Sequence, residues 1–317
     1  MCINSLNESI GQKVGIYMKD ACERKVAIFG GNGYMGQHLL FHLQQIGVRC
    51  DVYDVHESAV GAPDKYATVD VLNPDYVDGI DVAQYGAVYF LSGLSGPERS
   101  FESAELYCKV NELGLLSLCR KISSLTKSKP KIIFPSSRLV YRGGMRVSED
   151  SALEARSVYA ANKIACENIL SAYHHRYGVP YVALRICVPY GNLVGSEYSY
   201  GTVGFFLKCI REHRPITVYG DGANRKTYTF ISDLCKIADR VAVMNIASGV
   251  YNVGGYDYSL REIANILVDK LGGSVISVPW PEEARRVEMG DISLDSTKLD
   301  HAIRFGEYRR FEDVVDF

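Results

Sequence analysis

The sequence has no long apolar run and no marked excess of charge of either sign. None of its hydrophobic stretches approaches the roughly 20 residues that a membrane-spanning helix requires. The N-terminus has no basic segment followed by an apolar one, so no secretion signal is predicted. The formal net charge of −2 gives no electrostatic basis for binding nucleic acid or an anionic membrane. These absences favour an ordinary soluble globular protein.

Paired cysteine motifs are also absent. The nine cysteines are an odd number, and no two of them form a Cys-x-x-Cys pair. This usage is typical of reduced thiols and favours a cytoplasmic protein. His38 and His42 are one helical turn apart but lack the intervening glutamate of a zinc protease, so we predict no metal site.

A glycine-rich segment follows the first apolar run. Val26–Phe29 has the composition of a buried parallel strand, and Gly30, Gly33 and Gly36 follow at intervals of three. Leucines then recur at helical spacing, so the glycines are predicted to form a strand-to-helix turn. Such a turn lets a pyrophosphate approach the backbone at the first turn of the helix, as in dinucleotide-binding folds. Asp54 ends the next apolar run, where a carboxylate accepts hydrogen bonds from an adenosine ribose.

Strands and helices alternate along most of the chain, which predicts a doubly wound parallel α/β sheet of the Rossmann type. After residue 189 the composition shifts toward Gly, Tyr and Ser. We therefore expect a loosely ordered leader over 1–24, a dinucleotide-binding domain over 25–189 with a return at 230–255, and a smaller region over 190–317. Strands are predicted at Val26–Phe29, Val48–Tyr53, Tyr66–Val69, Ala87–Leu91, Lys131–Pro135, Tyr181–Cys187 and Tyr251–Gly254, and helices at about 34–46, 98–120 and 151–177.

Three residues outside the glycine turn predict acid–base chemistry. Tyr159 and Lys163 are four apart in a predicted helix and therefore share one face. A free tyrosine titrates near ~10, but neighbouring positive charges favour the phenolate, which can act as a base. Ser137 follows the strand Lys131–Pro135, at the sheet edge where ligands bind in such folds. We expect Ser137 to hydrogen-bond the substrate oxygen that Tyr159 deprotonates.

This order of motifs resembles the extended short-chain dehydrogenase/reductase family, in its NAD-dependent nucleotide-sugar epimerase/dehydratase branch. The resemblance spans roughly Val26 to Lys298 and implies that Ser137, Tyr159 and Lys163 are catalytic. It implies that NAD is the cofactor, and Asp54 favours NAD over NADP because it repels a 2′-phosphate. The cofactor contacts that it implies are Gly30, Gly33, Tyr34, Met35, Gly36, Asp54, Asp70, Val71, Leu91, Ser92, Gly93, Asn111, Tyr159, Lys163 and Cys187.

The same resemblance implies a nucleotide-sugar substrate, linked to UDP, GDP, dTDP or CDP, for the region 190–317. Ser137, Tyr159, Arg225, Lys226 and Arg286 are the expected substrate contacts. The two long helices near 98–120 and 151–177 are expected to form a homodimer interface. A role in polysaccharide biosynthesis is a family-level expectation. We further expect Trp280 in the core and Tyr198 or Tyr200 near a sugar pocket.

The residues after Ser137 bear on the reaction. Family 4,6-dehydratases place Asp-Glu after their catalytic residue, whereas this chain has Arg138 and Leu139, which disfavours dehydration. A 4-epimerase that oxidises the sugar transiently at C4 is the preferred prediction. A reductase of nucleotide-linked 4-keto-6-deoxysugars and an NAD-binding regulator without turnover are the alternatives.

Overall fold

The computed structural model describes residues 24–195 and 200–314. The leader expected over 1–24, apart from Arg24, and the candidate Tyr198 lie outside the described residues. Within these ranges, none of the helices combines the length and the apolar character that a bilayer crossing requires.

Strands and helices alternate through the first two thirds of the described chain. The strands are β1 Lys25–Phe29, β2 Arg49–Asp54, β3 Lys65–Thr68, β4 Ala87–Phe90, β5 Lys131–Ser137, β6 Gly144–Val147, β7 Tyr181–Ile186, β8 Val188–Tyr190, β9 Ile216–Tyr219, β10 Arg225–Phe230, β11 Gly249–Asn252, β12 Tyr256–Ser259, β13 Val275–Val278 and β14 Ile292–Leu294. The α-helices are α1 Tyr34–Gln45, α2 Arg99–Glu102, α3 Ala104–Tyr107, α4 Gly114–Ser123, α5 Val158–Tyr177, α6 Gly201–Arg211, α7 Ile231–Val243, α8 Leu260–Leu271, α9 Glu282–Val287 and α10 Thr297–Ile303, with a π-helix over Cys108–Leu113.

A seven-stranded sheet, in which every strand pair is parallel, organises the fold. Its order is β3-β2-β1-β4-β5-β7-β11. The strand order therefore reverses between β1 and β4, because β2 and β3 lie on one side of β1 and the later strands lie on the other. In such a sheet ligands bind beyond the carboxyl ends of the strands at this switch point. The predicted α/β fold class is confirmed, and the return expected at Tyr251–Gly254 is made by β11, which pairs with β7.

The buried faces of β1 explain why this segment is a central strand. Val26 and Ile28 pack into the hydrophobic cluster on one face of the sheet, and Ala27 and Phe29 into the cluster on the other. Because helices cover both faces of the sheet, β1 is apolar at successive positions. A strand with one face in solvent would instead alternate apolar and polar residues.

Two smaller sheets follow in the second part of the chain. One has the order β12-β10-β14-β6, with β8 also paired to β10, and the other joins β13 to β9. Because β8 begins two residues after β7 ends, the chain passes directly from the large sheet into the smaller one. This connection brings β10 next to the carboxyl ends of the parallel strands.

Two predicted helices differ from the structure. The helix expected over 151–177 begins only at Val158, because the Ser157 side chain accepts a hydrogen bond from the Ala160 amide and caps it. The helix expected over 98–120 is interrupted at Ser103, where φ is −130° and ψ is 41°. It then passes through the π-helix, which contains Asn111, before α4 begins.

A buried ion pair ties α5 to β7 below the sheet edge. Arg185 donates from Nε and Nη2 to the two oxygens of Glu167, at 2.9 and 2.7 Å. Ser136 donates a further hydrogen bond of 2.5 Å to Glu167. Both charged side chains are about 95% buried, so loss of either one would leave the other as an uncompensated buried charge.

Glu167→Gln should destabilise the protein by about 3–5 kcal/mol, because it leaves the Arg185 guanidinium buried without a counter-charge. Urea unfolding measures the change. Glu105→Gln, which breaks an exposed pair with Lys109, is the matched control and should stay close to wild type. Equal stability of both variants would contradict the role given to the buried pair.

Candidate active site

Two adjoining cavities open at the carboxyl ends of the parallel strands. The smaller, of about 210 Å³, lies between the glycine turn and α5. The larger, of about 840 Å³, extends toward β9, β10 and α9. Cys187, Pro189 and Tyr200 line both. Of the residues predicted from the sequence, the smaller cavity is lined by Gly30, Gly33, Tyr34, Met35, Gly36, Leu91, Gly93, Ser137, Tyr159, Lys163 and Cys187.

The three glycines of the turn have different physical roles. Gly30 has φ of +80°, and a Cβ there would lie 2.6 Å from the Ser92 amide nitrogen. A Cβ at Gly36 would overlap the Gly30 carbonyl oxygen and lie 2.6 Å from the Cα of Gly31. At Gly33 it would meet only the Gly30 carbonyl oxygen, at 3.3 Å, on the side that lines the cavity. Gly36 therefore serves close packing, whereas Gly33 keeps space free in the cavity.

Asp54 ends β2 beside this turn, and its carboxylate is about 95% buried. One oxygen accepts a hydrogen bond of 2.9 Å from the Asn32 amide, and the other lies 2.6 Å from His56 Nδ1. These contacts hold the carboxylate at the sheet edge, where a ribose contact was predicted. Asp54 itself does not line the smaller cavity.

Asn111 contacts the loop after β4 and does not itself line the cavity. Its side chain accepts a hydrogen bond of 2.7 Å from the Leu94 amide and donates one of 3.1 Å to the Leu94 carbonyl. A Cβ at Gly93 would lie 2.9 Å from its Oδ1. Asn111 thus contacts the loop that forms the cavity wall, and the cofactor contact predicted for it stays a prediction.

The three other predicted cofactor residues also lie outside the cavity lining. Asp70 is exposed, and its carboxylate accepts a hydrogen bond from the Leu72 amide. Val71 is buried against Gly114, and Ser92 packs against the glycine turn.

The predicted catalytic residues come together in the wall of the smaller cavity. The side chain of Lys163 is almost fully buried, and its Nζ donates a hydrogen bond of 2.7 Å to the Pro135 carbonyl at the end of β5. Tyr159 lies one turn earlier on α5, with its ring centroid 5.6 Å from that Nζ. Ser137 lines the same cavity, and its hydroxyl acts to lower the pKa of the Tyr159 phenol.

Burial controls the protonation of this pair. It raises the pKa of the Tyr159 phenol, against the opposing effects of the Ser137 hydrogen bond and the positive charge of Arg138. Burial lowers the pKa of Lys163 to about 8, against the opposing charges of Cys166 and Glu167. Forming the phenolate that was predicted therefore requires further positive charge in the cavity.

The three predicted basic substrate contacts point in different directions. Lys226 is about 90% buried and lines the larger cavity, where it pairs with Glu288 at 3.5 Å. Arg225, the preceding residue on β10, faces the other way and pairs with Glu262 at 2.9 Å. Arg286 pairs with Glu282 on the exposed surface of α9. Of the three, the structure brings only Lys226 to the cavity.

Sequence reasoning missed several residues that line the larger cavity. Arg138 was considered only as a departure from dehydratases, yet it lies in the wall beside Lys226 and Cys187. Trp280 was expected in the core, and this prediction is wrong. It lines the larger cavity and contacts Tyr219, with ring centroids 5.2 Å apart. Its position next to Pro281, in a segment that precedes a short helix, gave no periodic signal of burial.

Tyr200, which the sequence placed near a sugar pocket, connects the two cavities. Its ring stacks on Tyr34 of the glycine turn at a centroid distance of 4.0 Å and an angle of 4°. Tyr34 in turn donates a hydrogen bond of 2.8 Å to the Gly191 carbonyl. These contacts join the glycine turn to the start of the smaller sheet region.

A model of the NAD dependent epimerase/dehydratase family matches residues 26–254, more than two thirds of the chain. The chain belongs to this family. The family is NAD-dependent, so the cofactor predicted from the sequence is confirmed. The match covers the glycine turn, the catalytic residues predicted on α5, and β10.

Individual relatives have different activities. A UDP-glucuronate 4-epimerase of Thermodesulfobacterium geofontis is 26% identical over 213 residues, which are 66% of this chain and 64% of that protein. The aligned part thus spans slightly less than two thirds of that relative. A dTDP-glucose 4,6-dehydratase of Streptomyces niveus is 24% identical over 252 residues, 78% of this chain and 73% of that protein.

The overall fold matches solved structures of this family. The structure of a Thermus thermophilus UDP-glucose 4-epimerase in complex with NAD superposes with a TM-score of 0.79. It is 24% identical and covers 92% of this chain and 98% of that chain. This likeness establishes a common fold.

The residues around the smaller cavity fit NAD. The first turn of α1 begins at this cavity, so its free amide groups can meet a pyrophosphate, and Gly33 leaves the necessary space. The Asp54 carboxylate lies at the end of β2, outside the lining of this cavity, and its contact with the ribose stays a prediction. Tyr159 and Lys163 line the opposite side of the cavity, where they can face the reactive end of the cofactor.

Gly33→Ala should fold normally yet bind NAD about tenfold or more weakly, because the added methyl group projects into the cavity. Titration of NAD by calorimetry and thermal unfolding of the free protein measure the two effects. Gly79→Ala, where a Cβ has no neighbour within 4 Å, is the control and should match wild type. Undiminished NAD affinity of Gly33→Ala would contradict this placement of the cofactor.

In the cofactor-free protein, the Lys163 ammonium should titrate with a pKa of about 8. Burial disfavours the charged form, so the positive charge beside Tyr159 is lost as the pH rises through that value. Nuclear magnetic resonance of lysine side chains measures this titration, with Lys163→Arg used to assign the signal. A pKa of 10 or above would show that burial does not govern this lysine.

Proposed function

We propose that the protein is an NAD-dependent nucleotide-sugar 4-epimerase. The observation that carries the proposal is that Ser137, Tyr159 and Lys163 lie together in the wall of the smaller cavity, which shares Cys187, Pro189 and Tyr200 with the larger one. A base at this junction can reach a sugar hydroxyl on one side while it faces the cofactor on the other. The similarity to a UDP-glucuronate 4-epimerase and to a UDP-glucose 4-epimerase structure supports the same reaction class.

In the proposed mechanism, Tyr159 removes the proton of the C4 hydroxyl and Ser137 holds the same oxygen. NAD, held between the glycine turn and α5, would supply the acceptor and donor of the C4 hydride. The positive charge of Arg138 opposes the effect of burial on the Tyr159 phenol, and the Lys163 ammonium lies 5.6 Å from the ring centroid. The larger cavity gives the 4-keto sugar room to turn before Tyr159 returns the proton.

The residues after Ser137 support epimerisation over dehydration. Elimination of water from the sugar needs a general acid and a general base near C5 and C6. Arg138 and Leu139 stand at the cavity wall in the two positions that follow Ser137. An arginine cannot be deprotonated in a protein, and a leucine has no exchangeable proton on its side chain.

We further propose that the protein is a homodimer, as the family resemblance implies. Phe101, Leu106 and Leu113 are each more than 40% exposed along the helical segment 99–123. Their apolar surface is in keeping with the predicted interface. The mass of the protein in solution, measured by light scattering, tests this proposal.

Tyr159→Phe should lower turnover by at least about a thousandfold and leave NAD affinity close to wild type, because only the proton-transferring oxygen is lost. The assay interconverts pairs of 4-epimeric nucleotide sugars, linked to UDP, GDP, dTDP or CDP, without added cofactor. Tyr177→Phe, at the exposed end of the same helix, is the matched control. Wild-type turnover by Tyr159→Phe would remove Tyr159 from its assigned role.

The same assay separates the alternatives. Stoichiometric consumption of NADH with a nucleotide-linked 4-keto sugar would identify a reductase in place of an epimerase. Binding of NAD without turnover of any nucleotide sugar would favour a regulator.

A further inference from the structure

The cationic side chains that line the larger cavity differ in whether they have an anionic partner within the protein. Lys226 lies 3.5 Å from Glu288, and Arg156 Nε lies 2.7 Å from Glu154. Both of these cations therefore have an anionic partner within the protein. Arg138 differs, because its Nε is buried and has no hydrogen-bond partner among residues 24–195 and 200–314.

The backbone fixes Arg138 close to the reacting groups. It begins the 3₁₀ turn Arg138–Val140 directly after Ser137, whose side chain accepts the Leu139 amide at 3.2 Å. Its positive charge lowers the pKa of both Tyr159 and Lys226. The guanidinium thus lies within electrostatic reach of the phenol on one side and of the buried lysine on the other.

A buried guanidinium nitrogen without a partner is unfavourable, because it has lost water without gaining a hydrogen bond. The planar group presents paired donors that match a carboxylate, and a hydrogen bond between opposite charges is stronger than one to a neutral hydroxyl. In a hexuronic acid the carboxylate carbon is two bonds from C4. A sugar whose C4 oxygen meets Tyr159 therefore carries that carboxylate near the residue that follows Ser137.

We propose that Arg138 binds a carboxylate on the sugar, so that the substrate is a nucleotide-linked uronic acid. This inference rests on the proposed function, since it assumes that the larger cavity binds a nucleotide sugar. Lys226, on β10 in the wall of the same cavity, keeps its anionic partner Glu288 within the protein.

Binding measurements on the NAD-loaded protein test the assignment. The probes are matched pairs that differ only at C6: UDP-glucuronate with UDP-glucose, UDP-galacturonate with UDP-galactose, and GDP-mannuronate with GDP-mannose. Wild type should bind the uronate of its preferred pair about 10- to 100-fold more tightly. Arg138→Met should remove most of this preference, and Arg138→Lys should restore part of it. Arg214→Met, which alters an exposed pair with Glu212, is the control.

Each other outcome has a distinct meaning. Equal or tighter binding of the neutral sugar by wild type would overturn the inference, even if turnover of that sugar upholds the 4-epimerase. If Arg138→Met weakens the binding of free UDP or GDP as much as the binding of the uronate, Arg138 contacts the diphosphate. That result also overturns the inference. Arg138-dependent binding of the uronate without epimerisation would uphold the inference and overturn the proposed function. Binding of none of the pairs would overturn both.

Discussion

The hydrogen bond from Lys163 Nζ to the Pro135 carbonyl holds the site together. It joins α5 to the carboxyl end of β5, so Tyr159, one turn earlier, lies over the same sheet edge as Ser137. The ammonium also lies 4.5 Å from the centroid of the Phe134 ring, which partly replaces the water lost on burial. The same burial lowers the pKa of Lys163 to about 8, so the contact that positions the base also weakens the charge beside it.

The site depends equally on how the second part of the chain returns to the sheet edge. The connection from β7 to β8 is only one residue long, which places β10 and Lys226 directly beyond the parallel strands. The stack of Tyr34 on Tyr200 then joins the glycine turn to α6. As a result the two cavities share part of their lining, and the larger one adjoins the cavity that Tyr159 lines.

The electrostatics of the site bears on the proposed reaction class. The position after Ser137 carries a positive charge, whereas dehydration requires a group that can exchange a proton. Arg138 opposes the effect of burial on Tyr159 and is at the same time the cavity cation whose Nε has no hydrogen-bond partner in the described chain. The same residue thus bears on the proposed reaction class and on the proposed charge of the substrate.

The sequence by itself determined the parallel α/β sheet, the glycine turn, and the meeting of Ser137 with Tyr159 and Lys163. Strand periodicity, glycine spacing and an i, i+4 pair are local patterns, and the carboxyl ends of parallel strands converge on one edge. The start of α5 was wrong by seven residues because the cap at Ser157 outweighs the apolar pattern before it. Only the tertiary structure decided that Lys226, and neither Arg225 nor Arg286, enters the cavity, and that Trp280 lines it. Those outcomes depend on which face of a short strand or helix meets the rest of the chain, and neither β10 nor α9 has a period long enough to reveal it.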